Sequence, residues 1–178
     1  MKEYYTPGLV LDRVPRNSQD QSVVLYTKEL GKVSAISKSI RKITSKLSGH
    51  LTAGTIANVR LIDRGSHQLI DALSYFKPEP DEELFRFLSF LDETVPYNQP
   101  EHKLWYAVEE IVMKKSFSPR IYRYLLQVMG FESSACQNCK KILDEVAYFH
   151  TPDIIFLCSN CLTRSRVKQQ DVVPVSQI

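Results

Sequence analysis

Four cysteines stand in two pairs of identical spacing, Cys136-Gln-Asn-Cys139 and Cys158-Ser-Asn-Cys161, with eighteen residues between the pairs. Each pair places two thiols on one tight turn, and two such turns facing each other supply the four sulfurs of a tetrahedral Zn²⁺ site. The chain has no other cysteine. Two disulfides are the competing reading. The opening residues Met-Lys-Glu-Tyr-Tyr-Thr-Pro hold no apolar run of a signal peptide, so a reducing compartment, and hence one structural Zn²⁺, is expected. A site closed by four thiolates keeps no position for water, so it should contribute folding free energy and not catalysis.

The elements that must position these sulfurs are short. Residues 146–149 and 154–157 are apolar strands flanking His150-Thr-Pro-Asp153, whose Pro and Asp suit a turn, and the whole reads as a zinc ribbon with a knuckle at each end of a hairpin. His150 is expected to be a solvent-facing turn residue, since four thiolates already close the site.

A hydrophobic content of 43% with 24% charged residues is that of an ordinary globular chain, and no stretch reaches the length of a membrane span. The net charge of +3 is unevenly spread. Residues 1–77 carry twelve Lys/Arg against six Asp/Glu, residues 78–130 six against nine, and residues 131–178 five of each. The positive excess therefore belongs to the first module, which becomes the candidate for a polyanionic partner.

Periodicity divides the chain at similar places. Residues 8–11, 22–27, 32–37, 56–62 and 68–75 read as five strands, the number in a small Greek-key barrel of the OB type. Lys28-Glu-Leu-Gly31 and Asp63-Arg-Gly-Ser66 are Gly-containing turns, whereas residues 39–55 form a long connection carrying Arg41, Lys42 and Lys46. Beyond Pro78 and Pro80 the period becomes helical. Leu84, Leu88, Leu91 and Val95 form one stripe behind the acidic Asp81-Glu82-Glu83, and Leu104, Val108, Ile111 and Val112 form a second, closed by Lys114 and Lys115. Ser118, Pro119 and Gly130 punctuate a third helix. Phe85, Phe87, Phe90, Trp105, Tyr122 and Tyr124 are expected in the core. The organisation is thus α+β in several modules: an OB-type barrel over residues 1–77, a helical domain over 78–131, the Cys₄ ribbon over 132–163, and a flexible tail over 164–178, which shows no periodic apolar face.

Between Lys28 and Lys46 lie six Lys/Arg and one acid, Glu29, interleaved with Ser34, Ser37, Ser39, Thr44 and Ser45. Cations that neutralise phosphates release condensed counterions, and short hydroxyl side chains donate further hydrogen bonds to phosphate oxygens. A lone basic loop would be ordinary solvated surface. On an OB-type barrel, an architecture that binds single strands with a basic groove and stacking aromatics, nucleic-acid contact is the better reading.

Residues 25–51 resemble the N-terminal segment of the bacterial recombination mediator family RecO. Thr27-Lys-Glu-Leu-Gly-Lys32 matches its T-x-x-x-G-K hairpin, and Lys38-Ser-Ile-Arg-Lys-Ile-Thr-Ser45 its basic K-G-x-R-K-x-x-S stretch, with Ser39 in place of the glycine. The order of parts is also similar: barrel, helices, then Leu125-Leu-Gln-Val-Met-Gly130 shortly before a Cys₄ finger. Two departures stand out. Lys140 and Leu162 occupy positions where many zinc knuckles have glycine, and the family usually continues into further helices beyond its finger.

The resemblance implies a cytoplasmic, nucleoid-associated bacterial protein of DNA repair and recombination, not an enzyme. It would bind single- and double-stranded DNA, anneal complementary strands, contact the C-terminal tail of SSB and, with RecR, help to load RecA. Carried over by residue, DNA contact falls on Lys38, Arg41 and Lys42 with Lys32 and Lys46 as neighbours; Arg120 and Arg123 are the candidates for the acidic SSB tail. A zinc-ribbon transcription or translation factor is the alternative, but its ribbon would be the basic element, and here the ribbon is neutral. An enzyme is disfavoured by acid groups that read as helix starts and solvated helical faces, by isolated histidines (His50, His67 and His102), and by the lack of Walker, His-Glu-x-x-His or Gly-x-Ser-x-Gly motifs.

Overall fold

The structure, a computed structural model, describes residues 1–18, 20–38, 47–143 and 145–176. These form two compact units, Met1–Lys115 and Ser116–Ile178.

In the first unit five strands, β1 (Lys2–Pro15), β2 (Gln21–Thr27), β3 (Gly31–Ser37), β4 (Ile56–Asp63) and β5 (His67–Phe76), close into a barrel of order β1-β2-β3-β5-β4. The expected OB-type barrel is present. The first strand is far longer than its apolar centre at residues 8–11 announces. Its first half pairs with β4, from Lys2↔Asp63 to Leu9↔Ile56, and its second half with β2, from Gly8↔Thr27 to Pro15↔Gln21. Gly8 and Leu9 pair with both partners, and a register shift between Val10 and Asp12 follows directly after them, the usual means of bending a strand around a small barrel. Val10, Val23, Leu25, Val33, Leu61 and Leu69 fill the interior. At the β2–β3 turn Gly31 has φ +68, and a Cβ there would land on the backbone of Gln99, so only glycine fits.

The strands β3 and β5 run parallel, with Ala35↔His67 and Ser37↔Leu69. Parallel neighbours cannot be joined by a hairpin. The long basic connection leaves from the end of β3, and its later part holds a 3₁₀ turn at Ser48–His50, where Ser74 donates its backbone N–H to His50 Nδ1 at 3.2 Å.

Two helices belong to this unit: α1 (Glu82–Thr94) and α2 (His102–Lys114). Asp81 caps α1 by accepting the Leu84 N–H at 2.8 Å, and the predicted stripes are buried, including Leu84, Leu88 and Leu91 on α1 and Leu104, Val108 and Val112 on α2. Trp105 of α2 sits 5.7 Å from the ring of Tyr26 on β2, and both are fully buried. Phe87 and Phe90 are buried as expected; Phe85 is half exposed.

The second unit begins with α3 (Pro119–Val128), which follows Ser118 and ends at Gly130 with φ +85. It continues through β6 (Val146–His150), β7 (Ile155–Leu157), α4 (Ser159–Arg164) and β8 (Val172–Ser176), with a three-stranded sheet of order β7-β6-β8. The helical segment expected as one domain over 78–131 is therefore divided: α1 and α2 lie with the barrel, and α3 packs on β8. Tyr122, Leu125 and Leu126 of α3 are buried, and Phe149 is flanked by Phe131 at 6.0 Å and Phe156 at 5.0 Å; Tyr124 stays half exposed.

Two expectations for this unit are overturned. Residues 172–176 of the segment expected to be a flexible tail form a strand: Val172–Ser176 pairs with β6 from His150↔Val172 to Val146↔Ser176, burying Val172, Val173 and Val175. Pro174 disguises the strand, yet an edge strand tolerates a proline that donates nothing to the ladder. His150 is likewise not a solvent-facing turn residue. It ends β6, is 7% exposed, and places Nδ1 3.0 Å from the Asp153 carboxylate.

Candidate nucleic-acid interface and metal centre

The two Cys turns converge as their spacing requires. In the first, Lys140 donates its N–H to Cys136 O at 2.8 Å, and Cys136 in turn donates to Lys141 O. Lys140 itself adopts φ +63, the left-handed conformation that explains why glycine suits this position. The second turn is different: Leu162 donates to Cys158 O at 3.0 Å as α4 winds up, so a side chain costs nothing there. Gln137 ties the turns together, donating its N–H to Phe156 O at 3.0 Å and accepting the Phe156 N–H on its side chain at 2.5 Å.

All four Sγ atoms lie within 4.8 Å of one another. Zn²⁺ bound at about 2.3 Å separates its sulfurs by about 3.8 Å in a tetrahedron. The Cys139–Cys158 separation is 3.8 Å. The acid–base state of the cluster also suits a cation. Burial pushes the Cys136 thiol up, but backbone N–H groups around Cys139, Cys158 and Asn138 overcome this and bring it down to about 6. Cys161 is pushed up to about 12, first by its hydrogen bond with Cys139, then by burial and the remaining sulfurs. Four thiolates repel one another unless a metal ion sits among them, and the arrangement can hold one.

The barrel presents a second candidate site at the end of β3. Gln21 pairs with Ser37 on one side, and His67 pairs with Ala35 on the other. Residues 16–18 and 20 of the β1–β2 loop and the β4–β5 turn at residues 64–66 therefore both adjoin Lys38. These are the loops by which OB barrels grip oligonucleotides. Lys38, Arg16 and Arg64 are exposed here, and Arg13 is half-buried. Local hydrogen bonds fix both loops: Asp20 donates its N–H to Asn17 Oδ1 at 2.7 Å, and Gly65 donates to Asp63 Oδ1 at 2.9 Å. Tyr4 and His67 contribute neighbouring rings, 6.5 Å apart.

Arg41, Lys42 and Lys46 lie outside the described residues. Lys32 is placed where it cannot serve as a phosphate contact, a correction to its expected role. It is buried, with Nζ 3.3 Å from Asp92 Oδ1, hydrogen-bonded to Asp92 O, and 4.2 Å from the Tyr97 ring centroid. Arg16 and Arg64 escaped the sequence reading because isolated charges in short turns make no run; the turn chemistry of the two loops was the available signal. Arg120 is exposed, whereas Arg123 stacks 5.1 Å over Phe156 and donates to Ser133 O at 3.4 Å, so much of its donor capacity is spent within its own unit. No helix among the described residues is long and apolar enough to cross a membrane.

Comparison with known proteins bears on both sites. Residues 1–74 match the family profile for the N-terminal part of recombination protein O. The chain is 27% identical over 189 aligned positions to the DNA repair protein RecO of Dehalococcoides mccartyi, covering 89% of this chain and 70% of that one. It is 25% identical over 185 positions to RecO of Acetivibrio thermocellus, covering 90% and 71%, and 30% identical over 147 positions to RecO of Chlorobium limicola, covering 72% and 56%. With its OB-type barrel, helices and four-cysteine cluster, the chain is similar to RecO proteins over most of its length.

Proposed function

We propose that the chain is a mediator of DNA repair and recombination that works without catalysing a covalent step. It binds single- and double-stranded DNA through the β3 end of its barrel, anneals complementary strands, and acts with RecR to help load RecA on SSB-coated DNA. The observation that carries this reading is that Arg16, Lys38 and Arg64 are exposed at one end of an OB-type barrel, where Gln21 pairs with Ser37 and His67 with Ala35.

Annealing by such a surface needs no chemical fuel. Two strands repel through their phosphates; cations on a protein relieve the repulsion and release counterions, and base pairing then supplies the driving force. Phosphate contact positions a strand without reading it, which is what a mediator acting on any sequence requires. The metal is Zn²⁺ in a structural role, held by Cys136, Cys139, Cys158 and Cys161, and its part is to fold the second unit. Arg120 is the better placed of the two arginines to receive the acidic SSB tail, Arg123 being engaged with Phe156.

Titration of fluorescent single- and double-stranded DNA, repeated with a peptide of the SSB C-terminal tail, tests the proposal. Binding of both DNAs and of the peptide supports a mediator. DNA binding that varies strongly with sequence, with no affinity for the peptide, would favour a zinc-ribbon transcription or translation factor.

A further inference from the structure

The outer face of β1, β4 and β5 carries a cleft of about 320 Å³ that uses none of the loops around β3. Cross-strand register builds it: Tyr5, Arg60 and Asp71 form one row, and Pro7, Asn58 and Leu73 the next. An outward face of a small barrel is expected to be polar. Here Tyr5 is 70% exposed and Leu73 65%. The register shift between Arg60 and Leu61 leaves Ile70 without a cross-strand partner and turns it outward as well. A contiguous apolar patch rimmed by polar groups marks a place where another molecule sits.

Charge decides which kind of molecule. The one cation, Arg60, is ion-paired to Glu3 and lies 5.5 Å over the Tyr5 ring, while Tyr5 donates its hydroxyl to Glu3 at 3.0 Å. Asp71 adds a second carboxylate to the same row. Two carboxylates against one guanidinium leave the rim net negative, which repels a phosphate backbone and attracts a cation. We infer that this cleft docks a protein segment offering one large apolar side chain flanked by lysine or arginine, so that the barrel holds DNA at the end of β3 and a basic, apolar peptide on β1-β4-β5.

The test follows backbone amide signals of the full chain by NMR. The peptide acetyl-Ser-Lys-Phe-Lys-Ser-amide should shift Tyr5, Arg60, Asp71 and Leu73 saturably. Its counterpart with both lysines replaced by glutamate should bind about tenfold more weakly or worse. Oligo-dT should move Lys38 and residues 16–18 and leave the cleft signals in place. Leu73→Ser, at an exposed position, should abolish the peptide response without changing the thermal midpoint, and Asp71→Asn should narrow the difference between the two peptides. Equal binding of the acidic peptide, displacement of the cleft signals by oligo-dT, concentration-dependent shifts of those signals without peptide, or no saturable response at millimolar peptide would each overturn the inference.

Discussion

Lys32 Nζ lies 3.3 Å from Asp92 Oδ1 with the lysine side chain 5% exposed, so a cation read as part of a basic run instead fastens β3 to α1. Removing one partner of an ion pair buried on one side and half-open on the other costs roughly 2 kcal/mol, between the exposed and fully buried cases. Lys32→Ala should lower the unfolding free energy read from urea denaturation by that amount while leaving the salt dependence of DNA binding unchanged. A shallower salt slope with unaltered stability would return Lys32 to the DNA-binding surface.

The cysteine cluster carries the second prediction. A structural Zn²⁺ site is folding free energy, so Cys136→Ser or Cys158→Ser should release zinc and unfold residues 116–178 while the barrel keeps its β signal in circular dichroism. Elemental analysis finding no zinc in protein purified without chelator would contradict the assignment of the metal.

The last strand gives the third. Val175 is fully buried between β6 and α3, and Val175→Ala should destabilise the second unit by about 2 kcal/mol. Hydrogen exchange should find the amides that β8 contributes to the ladder protected to the same degree as those of β6. Rapid exchange throughout residues 172–176 would restore the picture of a loose tail.

A fourth concerns pH. The ammonium of Lys115, 2.6 Å from Asp81, holds the Asp81 carboxyl below the usual range, and the backbone N–H of Leu84 adds to the effect. A carboxyl whose folded pKa is depressed contributes stability above its unfolded pKa, about 4, and loses it as pH falls through the folded value. Wild type should therefore be more stable than Asp81→Asn near pH 7, and the gap should close as pH falls from the unfolded value through the lower folded one. A gap that is the same at both pH values would mean that the Asp81 charge is stabilised neither by Lys115 nor by the helix N-terminus.

How legible these features were in the sequence depended on whether their cause was local. Strand and helix stripes such as Leu84, Leu88 and Leu91 bury where their period says, because spacing alone sets the face of an element. The four-cysteine cluster was legible for the same reason, each Cys pair being one turn. Lys32, His150 and β8 were not. Lys32 is buried by Asp92, sixty residues away, and β8 is a strand only because β6 offers an edge to pair with. The division of the helices between two units also rests on distant contacts, Tyr26 with Trp105 in one and α3 with β8 in the other.

The claim that DNA binds the β3 end of the barrel is tested most directly by the salt dependence of single-stranded DNA binding. Lys38, Arg41 and Lys42 replaced together by Ala removes about three counterion-releasing contacts, and the slope of log K against log salt should become shallower by roughly two. Affinity should fall alike for unrelated sequences, since phosphate contacts do not read bases. The control removes Arg86, Lys103 and Lys114, all exposed on α1 and α2, and should change the slope much less. Equal loss of slope in the two triple variants would mean that DNA follows the general charge of the protein, and the assignment of the barrel end as the DNA site would fall.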